Sequence, residues 1–285
     1  MLRQRTIVGL GETLLLEYPD RTEPAGLAAI VALQAVRLGH IGVAISRVGQ
    51  DKAADELRAL LDEAGIDASH IQNDPDLPTG RVIVRAIGGR ITRYLESRAA
   101  FDNLQSDFDL EDVGQQADAV VYGLLTRRGG QTRSEENRFL AACGAAVKVF
   151  DLTNRAGPPD RGQAMSGLEL ADAAIADATA IDVVLPGWAD APAREAALHL
   201  LREAQLSLVL MVEPADADSL LTAHTTDGFC SARVPKERAA FMASIVAFLH
   251  GVLNGKRTEQ ALELAQRVGE FTAAHPGDSV PQEWL

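Results

Sequence analysis

The apolar positions of this chain run at two alternating periods. Residues 6–10 form a short, nearly continuous apolar run closed by Gly11, the pattern of a strand buried on both faces. Over residues 26–38 the apolar positions recur at helical spacing, and Gly39 supplies a stop. Residues 43–48 read as a second buried strand, and 51–64 as an amphipathic helix ended by Gly65. Strand, helix, strand, helix predicts right-handed crossovers and a parallel sheet. The same rhythm returns later, with strands at 119–124, 147–152, 173–176 and 207–212. Helices are predicted at 134–143, 194–204, 239–253 and 258–274, and an antiparallel pair at 219–226.

Two stretches break the rhythm. Residues 13–18 form a short strand closed by Pro19-Asp20. Residues 74–80 are rich in turn formers and lead to strands at 81–86 and 91–97 around Gly88-Gly89, a hairpin signal. These predict a small β-lid built from insertions at about 12–24 and 79–100. No linker, repeat or low-complexity segment divides the chain. The expectation is one doubly wound α/β domain over 1–285, a mostly parallel sheet with helices on both faces.

Composition changes this picture only by exclusion. Apolar residues at 47% and charged residues at 24% are ordinary for a globular chain of 285 residues. The net charge of −13, from 27 basic and 40 acidic residues, argues against a nucleic-acid partner and against an anionic membrane. Cys143 and Cys230 are the only cysteines and form no CxxC pair, so neither a disulfide framework nor a zinc site is suggested. The six histidines show no metal-ligand spacing. The start lacks a signal peptide's apolar core, and no apolar run is long enough to span a bilayer, which predicts a cytoplasmic protein. Gly9-Leu-Gly-Glu12 is not a dinucleotide fingerprint, since no third glycine opens a helix after it.

A series of short motifs, in order, carries a resemblance. Gly9-Leu-Gly-Glu-Thr-Leu14, Ser46-Arg-Val-Gly-Gln-Asp51, Pro78-Thr-Gly80, Tyr122-Gly-Leu-Leu-Thr-Arg-Arg128 and Phe150-Asp-Leu-Thr-Asn-Arg155 follow one another along the chain. Each alone is weak. Their order and spacing resemble the ribokinase-like (PfkB) carbohydrate kinases, nearest to the fructokinase branch, over essentially the whole chain. The resemblance implies a ribokinase-like fold with a β-lid, a sugar substrate, ATP and Mg²⁺ as cofactors, and a homodimer joined through the lid. It places substrate contacts at Gly26, Arg98, Arg128, Asp151 and Arg155. Arg128, Asp151 and Arg155 also fall at strand C-termini, where open α/β sheets bind ligands, although a structural ion pair is an equal alternative.

The departures fall where the chemistry of that family lies. Its signature, Asp-Thr-Thr-Gly-Ala-Gly-Asp-x-Phe, aligned on Phe241, puts Gly-Ala-Gly-Asp onto Lys236, Glu237, Arg238 and Ala239. In the family the glycines bring backbone N–H groups at a helix start against phosphate, and the Asp takes the sugar hydroxyl's proton. Here Lys236, Glu237 and Arg238 form at most a degenerate nucleotide-binding stretch: either a solvated helix start or a new anion site. Leu16 and Ile30 stand at the family's two polar sugar-binding positions, and 212–217 has lost its nucleotide-side Thr-Arg-Gly-x-x-Gly. Loss of a general base alone costs about 10²–10⁴-fold in rate; loss of the phosphate cradle as well leaves little of the reaction. The reading is a homologue without catalytic residues or a metal site, which binds a small ligand or a partner. The alternatives are an active ATP-dependent sugar kinase with a rearranged site, and a purely structural dimer.

Overall fold

The first apolar run forms β1 (Thr6–Leu10), and it organises the N-terminal part of the protein. The computed structural model describes residues 3–87, 90–95, 97–106, 108–155, 159–188 and 190–285. These divide into two compact units. The N-terminal unit comprises residues 6–36 and 41–146, and the C-terminal unit 1–5, 37–40 and 147–285. The fold is α/β, with a large, mostly parallel sheet and helices.

In the N-terminal unit β1 lies between two parallel partners, β4 (Ile41–Gly49) and β8 (Ala119–Gly123), and β5 (Ile71–Asp74) extends the sheet beside β4. Helix α1 (Leu27–Arg37) packs directly on β1. A Cβ at Gly9 would lie 2.4 Å from the Ala28 carbonyl oxygen, so only glycine permits this approach. Helices α2 (Lys52–Glu63), α3 (Phe108–Gln116) and α4 (Gly130–Ala142) complete the unit. The apolar face of α2, with Ala53, Ala54, Leu57 and Leu61, closes a core against Ala44, Val48 and Ile71.

The expected lid is a four-stranded sheet in the order β3-β2-β6-β7, formed by β2 (Leu14–Glu17), β3 (Thr22–Ala25), β6 (Gly80–Ile87) and β7 (Arg90–Leu95). Leu14, Ala99, Phe101 and Leu125 form a buried cluster beneath it. The turn expected at Gly88-Gly89 lies outside the described residues. Asp51, the N-cap of α2, holds the lid's root. Its carboxylate accepts bonds from the Thr79 amide (2.9 Å), the Thr79 hydroxyl (2.7 Å) and the Ala54 amide (2.9 Å). Burial raises the Asp51 carboxyl, but these bonds outweigh it and hold the group below its ordinary value.

In the C-terminal unit β9 (Val147–Asp151), β10 (Ala173–Ala176) and β11 (Leu208–Ala215) are parallel. β12 (Asp218–His224) and β13 (Phe229–Val234) follow as antiparallel strands. The helices are α5 (Arg161–Leu168), α6 (Ala178–Val184), α7 (Ala193–Glu203), α8 (Arg238–Leu253) and α9 (Thr258–Ala274). Helix α8 is apolar on every side, and residues 240–251 are all buried, as such a helix must be.

Three strands and three helices lie outside the periodicity-based reading. β3 contains Pro24 and four half-buried positions, so it shows no alternation. β13 alternates weakly as an edge strand, and β5 is only four residues long. α3, α5 and α6 are too short for a helical period to stand out. Helix α4 begins at Gly130, four residues before its expected start.

Candidate functional site

In the C-terminal unit the candidate residues sit where β9 ends and α8 begins. Asp151 closes β9 and is fully buried. One carboxylate oxygen accepts from the Thr153 amide (2.9 Å) and hydroxyl (2.5 Å), and the other from the Arg238 guanidinium (2.8 Å). Arg155 donates to both carboxylate oxygens of Asp177 (3.1 and 2.8 Å) and to the Leu152 carbonyl. Asp177 is at the same time the N-cap of α6, accepting from the Ala180 amide (2.8 Å). Two acid–arginine pairs therefore tie together the C-terminal ends of β9 and β10 and the start of α8.

The start of α8 is built from residues 236–240. The Lys236 ammonium donates to the Asp216 carbonyl, in a turn where Asp216 takes a positive φ of 45°. Glu237 is the N-cap, and its carboxylate accepts from the amides of Ala239 (3.0 Å) and Ala240 (2.9 Å). A helix start leaves amide N–H groups unpaired and carries a partial positive charge. Here an anion of the chain itself satisfies both. Arg238 turns from the first helical position to Asp151, and Ala239 follows with no functional side chain.

The N-terminal unit holds the other candidates. Gly26 has φ of 97°, and a Cβ there would lie 2.4 Å from the Glu12 carbonyl oxygen. Glu12 is buried and caps α1 by accepting from the Leu27 amide (2.7 Å). Arg128 makes a bidentate pair with Asp102 (2.7 and 2.6 Å) and lies over the Phe101 ring. Arg98 is exposed, and Leu16 and Ile30 are half-buried.

Next to Arg128 is a group the sequence reading did not single out. Arg127 is fully buried and donates to Glu136 (3.2 Å) and Asn137 (2.9 Å). Thr126 also donates to Glu136. Burial pushes the Glu136 carboxyl up to about 7; the charge of Glu12 adds to this, and Arg127 and Thr126 oppose it. The adjacent Arg127-Arg128 pair was visible in the sequence, but nothing there distinguished the buried arginine from its half-buried neighbour. Asp102 and Thr153 are likewise not singled out by the sequence, and Asp177 is marked there only as the position where the family's Asn-x-x-Glu is absent; its pairing with Arg155, 22 residues away, shows only in the structure. Among the described residues no cluster of three or more His, Cys, Asp or Glu side chains could hold a metal ion, and no helix is long and apolar enough to cross a membrane.

A family model described as pfkB family carbohydrate kinase matches residues 17–285. This chain belongs to the pfkB family. Its fold agrees with solved members of similar size. 2-Dehydro-3-deoxygluconokinase from Thermotoga maritima superposes with a TM-score of 0.79 at 17% identity, over 97% of this chain and 96% of that one. Fructokinase from Vibrio cholerae O395 gives 0.77 at 18% identity, over 95% and 98%. A sugar kinase from Pyrococcus horikoshii in complex with ATP gives 0.71 at 21% identity, over 98% and 96%. In sequence, the pfkB chain is 24% identical over 180 residues to the bifunctional protein HldE of Bradyrhizobium sp. (strain ORS 278). That match spans 55% of this chain and only 35% of HldE.

Proposed function

We propose that this pfkB-family chain is a non-catalytic carbohydrate-kinase homologue that binds a small ligand or a partner without transferring phosphate from ATP. The observation that carries the proposal is the Glu237 carboxylate seated on the Ala239 and Ala240 amides. In the family resemblance this helix start is the phosphate cradle, and Ala239 stands at the position of the catalytic Asp. Phosphoryl transfer depends on positioned charge neutralisation and on a carboxylate that orients the nucleophile. Here the amides already hold an anion, which repels a phosphate instead of receiving it. Of the two cations at this helix start, Arg238 is drawn into Asp151 and Lys236 onto the Asp216 carbonyl. Ala239 cannot accept a proton.

The residues present do not fit ATP and Mg²⁺ at this helix start, so no reaction step is derived through them. An active kinase with a rearranged site would need Glu237 as its base, and that carboxylate is already bonded to two amides. The apolar Leu16 and Ile30 further disfavour an ordinary hexose. An unpaired buried hydroxyl costs about 1–3 kcal/mol, so two lost partners weaken binding by one to a few orders of magnitude.

The test is product-resolved ATP turnover by the unmodified protein, over a panel that includes fructose and 2-dehydro-3-deoxygluconate, the sugars named for two structural relatives. The expected result is no sugar phosphate with any of them. A substrate-dependent turnover of about 1 s⁻¹, the low end of ordinary enzymes, overturns the proposal. Thermal shifts with the same sugars, sugar acids and nucleosides then separate a ligand-binding protein from a purely structural one.

A further inference from the structure

A second feature of the C-terminal unit lies apart from α8's start, at its other end. His40 and His250 are buried side by side, with His40 Nε2 2.7 Å from His250 Nδ1 and ring centroids 4.9 Å apart. The partners of the pair fix which nitrogens carry protons. The Arg5 backbone N–H points at His40 Nδ1 (3.2 Å) and can only donate. His40 Nδ1 is therefore the acceptor, and its proton sits on Nε2. That proton is donated to His250 Nδ1, which leaves the His250 proton on Nε2, facing the Leu285 oxygen at 3.5 Å; the Asn254 side-chain nitrogen, also 3.5 Å from Nε2, donates instead to the His250 carbonyl at 2.8 Å. The result is a directional relay from Arg5 through both rings to Leu285, and it requires both rings neutral.

Protonation of either ring breaks this relay. A proton on His40 Nδ1 would face the Arg5 N–H, and a proton on His250 Nδ1 would face the His40 N–H. The charged groups that face the pair add to this penalty. Burial is the largest cause that holds the His250 imidazole below its ordinary value; the bond to the Leu285 oxygen opposes it, and the charges of Lys256 and Arg5 add to it. Arg3 lines the neighbouring cavity, of about 330 Å³, with Gln282 and Leu285. Asp278 bears on Arg37, three residues before His40. The segments meeting here are held by further bonds, from the Arg5 side chain to the Leu253 carbonyl (2.6 Å) and from the Val280 amide to the Arg37 carbonyl (3.1 Å).

We infer that the His40–His250 pair is a pH-sensitive latch, closed when both rings are neutral and opened by acid, which holds segments 3–5 and 282–285 at the C-terminal end of α8. It is independent of the proposed loss of phosphotransfer. The test uses the intact protein. Long-range ¹H–¹⁵N spectra of the imidazoles should show both rings as neutral Nε2–H tautomers at pH 8 and still neutral at pH 6. Hydrogen exchange at the Arg5 amide, corrected for its intrinsic pH dependence, should show opening that steepens below about pH 6.5, the ordinary histidine value. Two protons taken up on opening raise the opening constant by up to about 100-fold per pH unit. His250→Asn keeps an oxygen to accept from His40 but cannot take a proton, so the dependence should fall to about 10-fold per unit. An Nδ1–H tautomer in either ring, or rings that titrate at about pH 6.5 while the Arg5 amide stays protected, overturns the inference. An unchanged slope in the variant does the same. Should the variant not fold, the spectra of the unmodified protein decide by themselves.

Discussion

Two helices of this protein begin under a glutamate of its own chain, and the two starts differ in every other respect. Helix α1 is capped by Glu12, which is buried, 15 residues away in sequence, and reaches the Leu27 amide past a glycine at φ 97°. Helix α8 is capped by Glu237, which is exposed and adjacent, and bonds to the second and third residues after it. The first cap is part of the frame, because removing it strands buried groups. The second is a local device at the surface, and under the proposed function its consequence is to keep an anion out. A glutamate at a helix start thus holds the frame where it is buried and leaves the start open to substitution where it is exposed.

The sharpest way to break the comparison is Gly26→Ala. The new Cβ would collide with the Glu12 carbonyl in a conformation that L residues rarely adopt. We expect a loss of about 3–5 kcal/mol, or failure to fold, read by urea denaturation. A loss below about 1 kcal/mol would mean that the α1 start is as adaptable as that of α8.

Glu136 provides the next largest effect, because the charge of Glu12 is among those that hold its proton. Its folded value, about 7, lies above its unfolded value of 4.5. For a raised group, stability is fully present below the unfolded value and is lost as pH rises through the folded one. The protein should therefore lose up to about 3 kcal/mol from this group between pH 4.5 and 7, and Glu136→Gln should remove that slope. His250 acts in the opposite sense. Its folded value is lowered, so its contribution is present above its ordinary 6.5 and is lost as pH falls. Comparing Glu136→Gln with His250→Asn across pH 4.5–8 separates the two slopes; parallel curves for both variants would refute the assignment.

Glu237→Ala should cost only about 1 kcal/mol, the usual effect of a lost N-cap, while uncovering the Ala239 and Ala240 amides. Inorganic phosphate should then stabilise the variant against heat more than it does the unmodified protein. Equal stabilisation of both would show that the cap excludes nothing. Lys236→Ala, at an exposed bond to a turn carbonyl, should change stability by less than about 0.5 kcal/mol in chemical denaturation.

The frame was legible in the sequence because its constraints are local. Gly9-Leu-Gly11, Gly39 and Gly65 punctuate the chain beside clear periodic runs, Asp51 opens α2, and Pro78-Thr-Gly80 marks the entry to the lid; the bonds from Thr79 to Asp51 that join the two show only in the structure. The site was legible only as a set of positions. Asp151, Arg155, Arg128 and Arg238 were picked out individually, but their partners could not be read from spacing. Asp177 lies 22 residues from Arg155, Asp102 26 residues from Arg128, and Arg238 87 residues from Asp151. Ion pairs of this kind follow from topology, and no periodicity encodes them. The buried Arg127 was hidden by its neighbour for the same reason.

The three side chains before Ala239 also bear on history. Lys236 pins a turn, Glu237 caps a helix and Arg238 neutralises a buried aspartate. If an ancestor carried glycines here, each replacement has since acquired work in holding the protein together. Reverting any one of them singly would remove a bond while leaving the other two side chains in place. Under the proposed function, descent from a working kinase could proceed in small steps, each leaving a well-held protein. On the same proposal, a return to activity would need several changes at once, with no gain at the intermediate stages.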